Sequence, residues 1–375
     1  MFSSRLNDLH PSPIREILAA ATRPGMISFA GGLPAAETFP DFDIRIPPAL
    51  LQYGATEGEE ALRRRISEDL FDIGLECEPD RIIIISGSQQ GIDLVAKLFI
   101  DRGTKVAVES PTYLAALQVF RFFGAEFTPF SPEMPMGDVF SRERPAFAYA
   151  IPTFSNPSGH CYSAVQRAAL ANACRESGTP LFEDDPYRDL AYESCERKPV
   201  AALLDGSPWI YQGSFSKSLA PGLRLGFLAA SPDLFPHLVK LKQAADLHSS
   251  RLSQWLVLEQ LNHPERRARM LAVSDTYRRK RDAFAEHLDA HFGDLATWDM
   301  PMGGLFFWLK LKSPLDTRKL LQPALDQGVA FMPGEPFYPE TSEYGALRLN
   351  FSHATAAESE RGLEALAGLF RSRSS

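Results

Sequence analysis

The 375-residue sequence has no uninterrupted apolar run of about 18 residues, the length a helix needs to cross a bilayer core. Its first residues, Met1-Phe2-Ser3-Ser4-Arg5-Leu6-Asn7-Asp8, carry no apolar stretch, so no secretory signal is expected there. Positive charge is not in excess. The 39 Lys and Arg stand against 47 Asp and Glu, a formal net charge of −8. That balance argues against a nucleic-acid partner and leaves no cationic face for a membrane. Cysteine is scarce: the four residues, Cys77, Cys161, Cys174 and Cys195, include no C-x-x-C pair. They fit neither a disulfide framework nor a zinc site, so reduced thiols and a cytoplasmic location are expected. Internal repeats, low-complexity segments and flexible linkers are also missing. What remains is an ordinary globular composition, 45% hydrophobic and 23% charged, at a length that predicts a large core and two lobes.

The stretch with most chemical content is Gly213-Ser214-Phe215-Ser216-Lys217-Ser218-Leu219-Ala220-Pro221-Gly222-Leu223-Arg224-Leu225-Gly226. A lysine packed after the apolar run Trp209-Ile210-Tyr211 is a candidate for imine chemistry, because partial desolvation lowers its pKa. Ser214, Ser216 and Arg224 supply hydroxyl donors and a guanidinium fork suited to a phosphate. Ser-Phe-Ser-Lys alone fits a serine-lined turn with a surface lysine equally well, so the rest of the chain has to decide.

In chain order, Ser12 and Pro13 predict a helix start that carries Arg15. Gly31-Gly32 and Tyr53-Gly54 lie in glycine-rich loops. Strand-like apolar runs follow at Ile82–Ile85, Val106–Val108, Phe147–Ile151, Leu181–Phe182, Trp209–Tyr211 and Leu225–Ala229. Helix-length segments at Gln89–Ile100, Leu114–Phe123 and Ala164–Glu176 separate several of them, predicting an α/β domain with a mostly parallel sheet. Polar, aromatic and acidic residues gather after consecutive runs: Ser86-Gly87-Ser88-Gln89-Gln90-Gly91, Glu109-Ser110-Pro111-Thr112-Tyr113, Ser155-Asn156-Pro157-Ser158-Gly159, Glu183-Asp184-Asp185-Pro186-Tyr187, then the lysine stretch. Open α/β sheets bind ligands at such strand ends. Past residue 235 long helical stretches take over, and their runs Glu265–Arg269 and Arg278–Arg281 read as solvated faces. Gly304–Leu309 and Ala346–Ser352 predict strands of a smaller α+β lobe, with Arg348, Asn350 and Ser352 on one face. Arg348 is then either an edge charge or a carboxylate fork.

Gly-Ser-Gln-Gln-Gly, Asn-Pro-Ser-Gly, Glu-Asp-Asp-Pro-Tyr and Ser-Phe-Ser-Lys, in this order, resemble the fold-type I pyridoxal-phosphate aminotransferases. The similar subgroup is that of the 2-aminoadipate and kynurenine aminotransferases and the catalytic part of MocR-type regulators. The resemblance runs from His10 to Ser352, with Ser158 where the family usually has threonine. It implies a large domain with a seven-stranded type of sheet over residues 41–250. A small C-terminal domain over 251–375 and an N-terminal arm with a small-domain segment over 1–40 complete the division. The sequence leaves no room for a winged-helix domain ahead of these, so a regulator's role is not expected.

The resemblance also implies roles. Lys217 is the Schiff-base lysine and proton shuttle, and Asp184 keeps the ring nitrogen of pyridoxal 5'-phosphate (PLP) protonated. Tyr187 and Asn156 hydrogen-bond the phenolic oxygen, and Tyr113 stacks on the ring. Ser88, Gln89, Ser214, Ser216 and Arg224 bind the phosphate. Arg348 forks the substrate carboxylate. Gly32, Arg15 and Tyr53 line the substrate end, Tyr53 from the partner of a homodimer. The expected function is amino transfer between an L-amino acid and a 2-oxo acid, with 2-oxoglutarate and glutamate as one pair. Other PLP chemistry (decarboxylation, elimination, racemisation) and an idle PLP-binding sensor are the rivals. A carboxylate fork at Arg348 weighs against decarboxylation, and the complete lysine, aspartate and tyrosine set weighs against the sensor.

Overall fold

The computed structural model describes residues 5, 17, 23–42, 45–313, 315–340 and 343–374. Arg15 and the helix start at Ser12 and Pro13 lie outside the described residues. Strand β1 (Ile27–Ser28) precedes α1 (Glu60–Asp72), β2 (Ile82–Ile85), α2 (Ser88–Phe99), β3 (Lys105–Glu109), α3 (Leu114–Phe123) and β4 (Glu126–Phe130). Next come α4 (Met136–Glu143), β5 (Ala148–Ala150), α5 (Ala164–Ser177), β6 (Leu181–Asp184), β7 (Trp209–Ser214) and β8 (Gly226–Ala230). Helices α6 (Phe235–Asp246), α7 (Arg251–Leu261) and α8 (Arg266–Phe292) then lead to β9 (Ala296–Thr297) and β10 (Phe306–Leu311). The chain closes with α9 (Arg318–Asp326), β11 (Val329–Ala330), β12 (Met332–Pro333), β13 (Ala346–Asn350) and α10 (Ala356–Ser374).

Strands β2 to β8 form a seven-stranded sheet in the order β2-β8-β7-β6-β5-β3-β4. Only β8 runs antiparallel to its neighbours, and the other pairs are parallel, as the α/β pattern predicts. Strands covered on both faces need apolar residues at every position. The four isoleucines of β2 meet that need: Ile82 and Ile84 enter one core cluster, Ile83 and Ile85 the cluster on the opposite face. Strand β7 divides likewise, with Trp209 and Tyr211 on one side and Ile210 on the other. Helix α5 is delimited by local chemistry, a capping box between Ser163 and Gln166 and the left-handed Gly178 at its end.

The apolar-run reading misses β4, the strand at one edge of the sheet. Its Pro129 interrupts the strand signal and is tolerated because an edge strand need not donate on its outer side.

The second unit is an antiparallel sheet in the order β12-β13-β10-β9. One face of it, with Leu347, Leu349 and Phe351, packs on Phe284 and Leu288 of α8 and Leu366 and Phe370 of α10. Two expectations are corrected here. Strand β13 lies between β10 and β12, so Arg348 is not an edge charge; it is 5% exposed. Arg281 is not on a solvated face. It is buried and donates to the Pro301 carbonyl at 2.9 Å and to Glu193 at 3.0 Å. Its guanidinium ties the long helix to the loop ahead of β10.

Candidate active site

The polar clusters seen in sequence emerge at the C-terminal ends of the parallel strands, where side chains from separate loops converge. After β2 the backbone turns at Gly87, whose φ of +85° favours glycine. A Cβ there would also stand 2.6 Å from Nη2 of Arg224, so the guanidinium occupies the space a side chain would fill. Ser88 follows as the first residue of α2, with its amide at a helix N-terminus suited to an anion. From the other side, the Ser216 amide donates to Oγ of Ser214 at 3.2 Å, shaping the turn after β7. Arg224 itself has φ +49°. Gln89 is exposed on the first turn of α2.

Lys217 sits on that turn, half-buried, and donates from Nζ to the Gly32 carbonyl at 2.7 Å. Burial, then the charges of Arg348 and Arg224, lower its pKa to about 8. A Cβ on Gly32 would lie 2.8 Å from the Phe306 ring, so a side chain at position 32 would disturb this loop.

Asp184 ends β6 and is 2% exposed. Its carboxylate accepts from the Tyr149 hydroxyl and from Nε2 of Gln212, both at 2.8 Å. Gln212 is its register partner on β7. Burial pushes the Asp184 carboxyl up to about 6 against the pull of these two neutral donors. Among the described residues it has no cationic partner, which leaves its charge for a cation brought by a ligand. Asp185 differs: its Oδ2 accepts from Tyr211 at 2.9 Å and pairs with Arg188 at 3.1 Å.

Arg348 joins the two units. It donates from Nη1 to Oδ1 of Asn156 at 2.6 Å and from Nη2 to the Ala30 carbonyl at 2.5 Å, while its Nε has no partner. The guanidinium carbon lies 4.1 Å from the Phe306 ring centroid and 5.0 Å from that of Phe337. Burial lowers its pKa to about 10. Asn156 in turn donates from Nδ2 to the Tyr187 hydroxyl at 3.4 Å. Burial raises the pKa of Tyr187 and of Tyr113, and both phenols feel the charge of Asp184.

Thus Lys217, Asp184, Tyr187, Tyr113, Asn156, Arg348, Arg224, Gly32, Ser88, Ser214 and Ser216 gather at one end of the sheet. Tyr53 is not among them: it is 77% exposed, edge-on to His248 at 5.8 Å. Arg15 lies outside the described residues. Sequence reasoning missed Tyr149, Gln212 and the two rings beneath Arg348. Gln212 left one signal, its place two residues before Ser214 on a strand aimed at the site.

Residues 32–366 match the family model of class I and II aminotransferases. The chain belongs to this family. It is 38% identical to a 2-aminoadipate transaminase of Thermus thermophilus, over 94% of this chain and 91% of that one. It is 34% identical to an aromatic-amino-acid aminotransferase of Thermococcus litoralis, over 98% and 93% respectively. A kynurenine aminotransferase of Pyrococcus horikoshii, solved with PMP, superposes with a TM-score of 0.92 at 32% identity, covering 100% of this chain and 97% of that one. The aminotransferase is PLP-dependent and moves an amino group between an amino acid and a 2-oxo acid. Its residues suit that cofactor. The hollow at Gly87 with the Arg224 guanidinium and the Ser88 amide fits a phosphate, and Asp184, with neutral donors only, fits a protonated ring nitrogen.

Proposed function

We propose that this aminotransferase passes the amino group of acidic and aromatic L-amino acids to 2-oxoglutarate. The carrying observation is Arg348, buried, fixed by Asn156 and Ala30, with Nε unspent. It holds the carboxylate that every amino acid and 2-oxo acid shares. PLP, when bound, supplies an electron sink for the negative charge left when a proton leaves the substrate's Cα. Lys217 takes that proton at Nζ and returns it; its lowered pKa keeps a useful share neutral near physiological pH. Asp184 stabilises the proton on the ring nitrogen, and Tyr149 and Gln212 keep its carboxylate in place. Tyr113 would cover the ring, and Asn156 and Tyr187 would hold its phenolic oxygen. Ser88, Gln89, Ser214, Ser216 and Arg224 would hold the phosphate.

The names of the two relatives, one acting on 2-aminoadipate and one on aromatic amino acids, support a broad donor range. Exposed Tyr53 and Leu51 support a homodimer in which Tyr53 reaches the neighbouring site, with Arg15 and Gly32 at the substrate end. The free thiols accord with work in the cytoplasm. The division into segments 1–40, 41–250 and 251–375 belongs to the same proposal. A donor panel with 2-oxoglutarate tests the reading: glutamate should form with 2-aminoadipate, phenylalanine and kynurenine. Glutamate formation with none of them would refute it.

A further inference from the structure

Away from Lys217, a cavity of about 710 Å³ opens between the loop after β5, the loop after β4 and the segment ahead of β10. Cys161, Glu109, Tyr162, His160, Met300 and Met302 are among its lining residues. Cys161 is therefore a half-buried thiol with a path to small solutes. The segment carrying Cys195 lies against it: the Cys161 thiol donates to the carbonyl of Glu196, the residue after Cys195, at 3.3 Å.

Beneath both sits Arg167, 1% exposed. Its guanidinium is surrounded by the carbonyls of Tyr162, Lys198, Pro152 and Glu196 and by the Thr153 hydroxyl, and Nη2 reaches Sγ of Cys161 at 3.7 Å. Among the described residues no carboxylate pairs with it. Glu183 feels its charge but binds the amides of Val200 and Ala201. A buried cation without a carboxylate favours an anion on the nearest ionisable atom, which is the Cys161 sulfur. Donation from Cys195 and the charge of Arg167 hold the Cys161 thiol below its ordinary range, while Cys195 is raised by the same hydrogen bond. Arg197 also faces Cys195. The other two thiols are buried, with pKa values pushed up to about 11 for Cys77 and about 12 for Cys174.

We propose that Cys161 and Cys195 form a peroxide-sensitive thiol pair that closes to a disulfide. The Cys161 thiolate attacks one peroxide oxygen; the O–O bond breaks, and hydroxide leaves and is protonated to water. Cys161 is now a sulfenic acid. The Cys195 sulfur attacks it, the S–S bond forms, the S–O bond breaks, and the oxygen leaves as a second water with the Cys195 proton. Two thiols lose two electrons and two protons in all, and the peroxide is reduced to two waters. The link would staple the loop bearing Asn156 to the strap at 191–196. That strap is bonded to the second unit through Ala191 opposite Gly303 and the Tyr192 amide on the Met302 carbonyl at 2.9 Å.

The test treats the holoenzyme with one equivalent of hydrogen peroxide at neutral pH and maps its non-reduced peptides by mass. The expected product has lost two hydrogen masses, links the Cys161 and Cys195 peptides within one chain, and reverts with dithiothreitol. Cys195→Ser should give no link and a sulfenic acid at Cys161 that a 1,3-dione traps; Cys161→Ser should give neither. Independently of the variants, iodoacetamide should alkylate Cys161 at least about tenfold faster than Cys77 or Cys174 in the native protein. Oxygen added only to Met300 or Met302, a link to Cys77 or Cys174, or equal alkylation of all four thiols would overturn the proposal.

Discussion

Nζ of Lys217 is held on the carbonyl oxygen of Gly32 at 2.7 Å, so the amine proposed to carry the chemistry is tied to the loop proposed to line the substrate end. Lys217→Ala is expected to fold and to retain PLP through the phosphate cradle and Asp184. Turnover should drop by several orders of magnitude, because nucleophile and proton carrier are both lost. Borohydride should no longer fix the cofactor covalently to the protein. Near-normal turnover together with covalent fixation in the variant would contradict the role given to Lys217.

The lowered pKa of Lys217 also predicts a pH dependence of stability in the cofactor-free protein. The folded chain releases this proton at about 8, the unfolded chain near the ordinary value of 10.5. Between those values the unfolded state binds more protons, so stability rises with pH across the window. Below it the penalty of the half-buried ammonium is fully present. Urea unfolding of wild type and Lys217→Met across this range checks the sign: the difference between them should shrink as pH rises. A constant difference would show that Lys217 titrates alike in both states.

Asp184→Asn keeps the size of the side chain and removes its charge. PLP binding should weaken by about 1.5–3 kcal/mol, the worth of a buried charge-assisted hydrogen bond. Turnover of the loaded variant should fall further. Asp185→Asn removes one partner of Arg188 and is expected to lower the melting temperature more than it lowers cofactor affinity. Cofactor titrations and melting curves of the pair separate the two carboxylates, and the reverse pattern would exchange their roles.

Arg348 and Arg15 should divide binding between the common and the variable end of the substrate. Arg348→Lys keeps a charge but loses the planar fork, so kcat/KM should fall by about 2 kcal/mol for every donor alike. Arg15→Ala should penalise glutamate and 2-aminoadipate while sparing leucine and phenylalanine. Measuring acidic and apolar donors in both variants decides the matter. A selective loss at Arg348 or a uniform one at Arg15 would show the assignments reversed.

Much of this site is legible in the sequence because a parallel sheet presents its chemistry in chain order. Each strand is an apolar run, and the polar residues after it arrive at the same edge. Asp184, Tyr187 and Lys217 could be read in that way. Their supports could not, because those depend on which strands become neighbours. Gln212 reaches Asp184 only since β7 lies beside β6, and Tyr149 does so from β5 on the other side. Phe306 and Phe337 lie under Arg348 through the folding of the second unit, and no spacing in the chain announces it. Cys161 and Cys195 read as two isolated thiols until the loops carrying them meet beside Arg167. Arg281 was hidden by its basic neighbours, of which Arg279 does face outward, and Pro129 concealed β4.

The charge balance of the site has a consequence for encounter rates. The charges of Arg348 and Arg224 both reach Lys217, and among the described residues none of the three forms an ion pair with a carboxylate, inside a chain whose formal charge is −8. In an acidic body, a hollow lined by cations focuses anions toward its opening. A 2-oxo acid approaches as an anion and is steered, whereas a neutral zwitterionic amino acid is not. The two halves of the reaction should therefore differ in their response to added salt. Screening at high ionic strength should slow capture of the 2-oxo acid well before it affects phenylalanine.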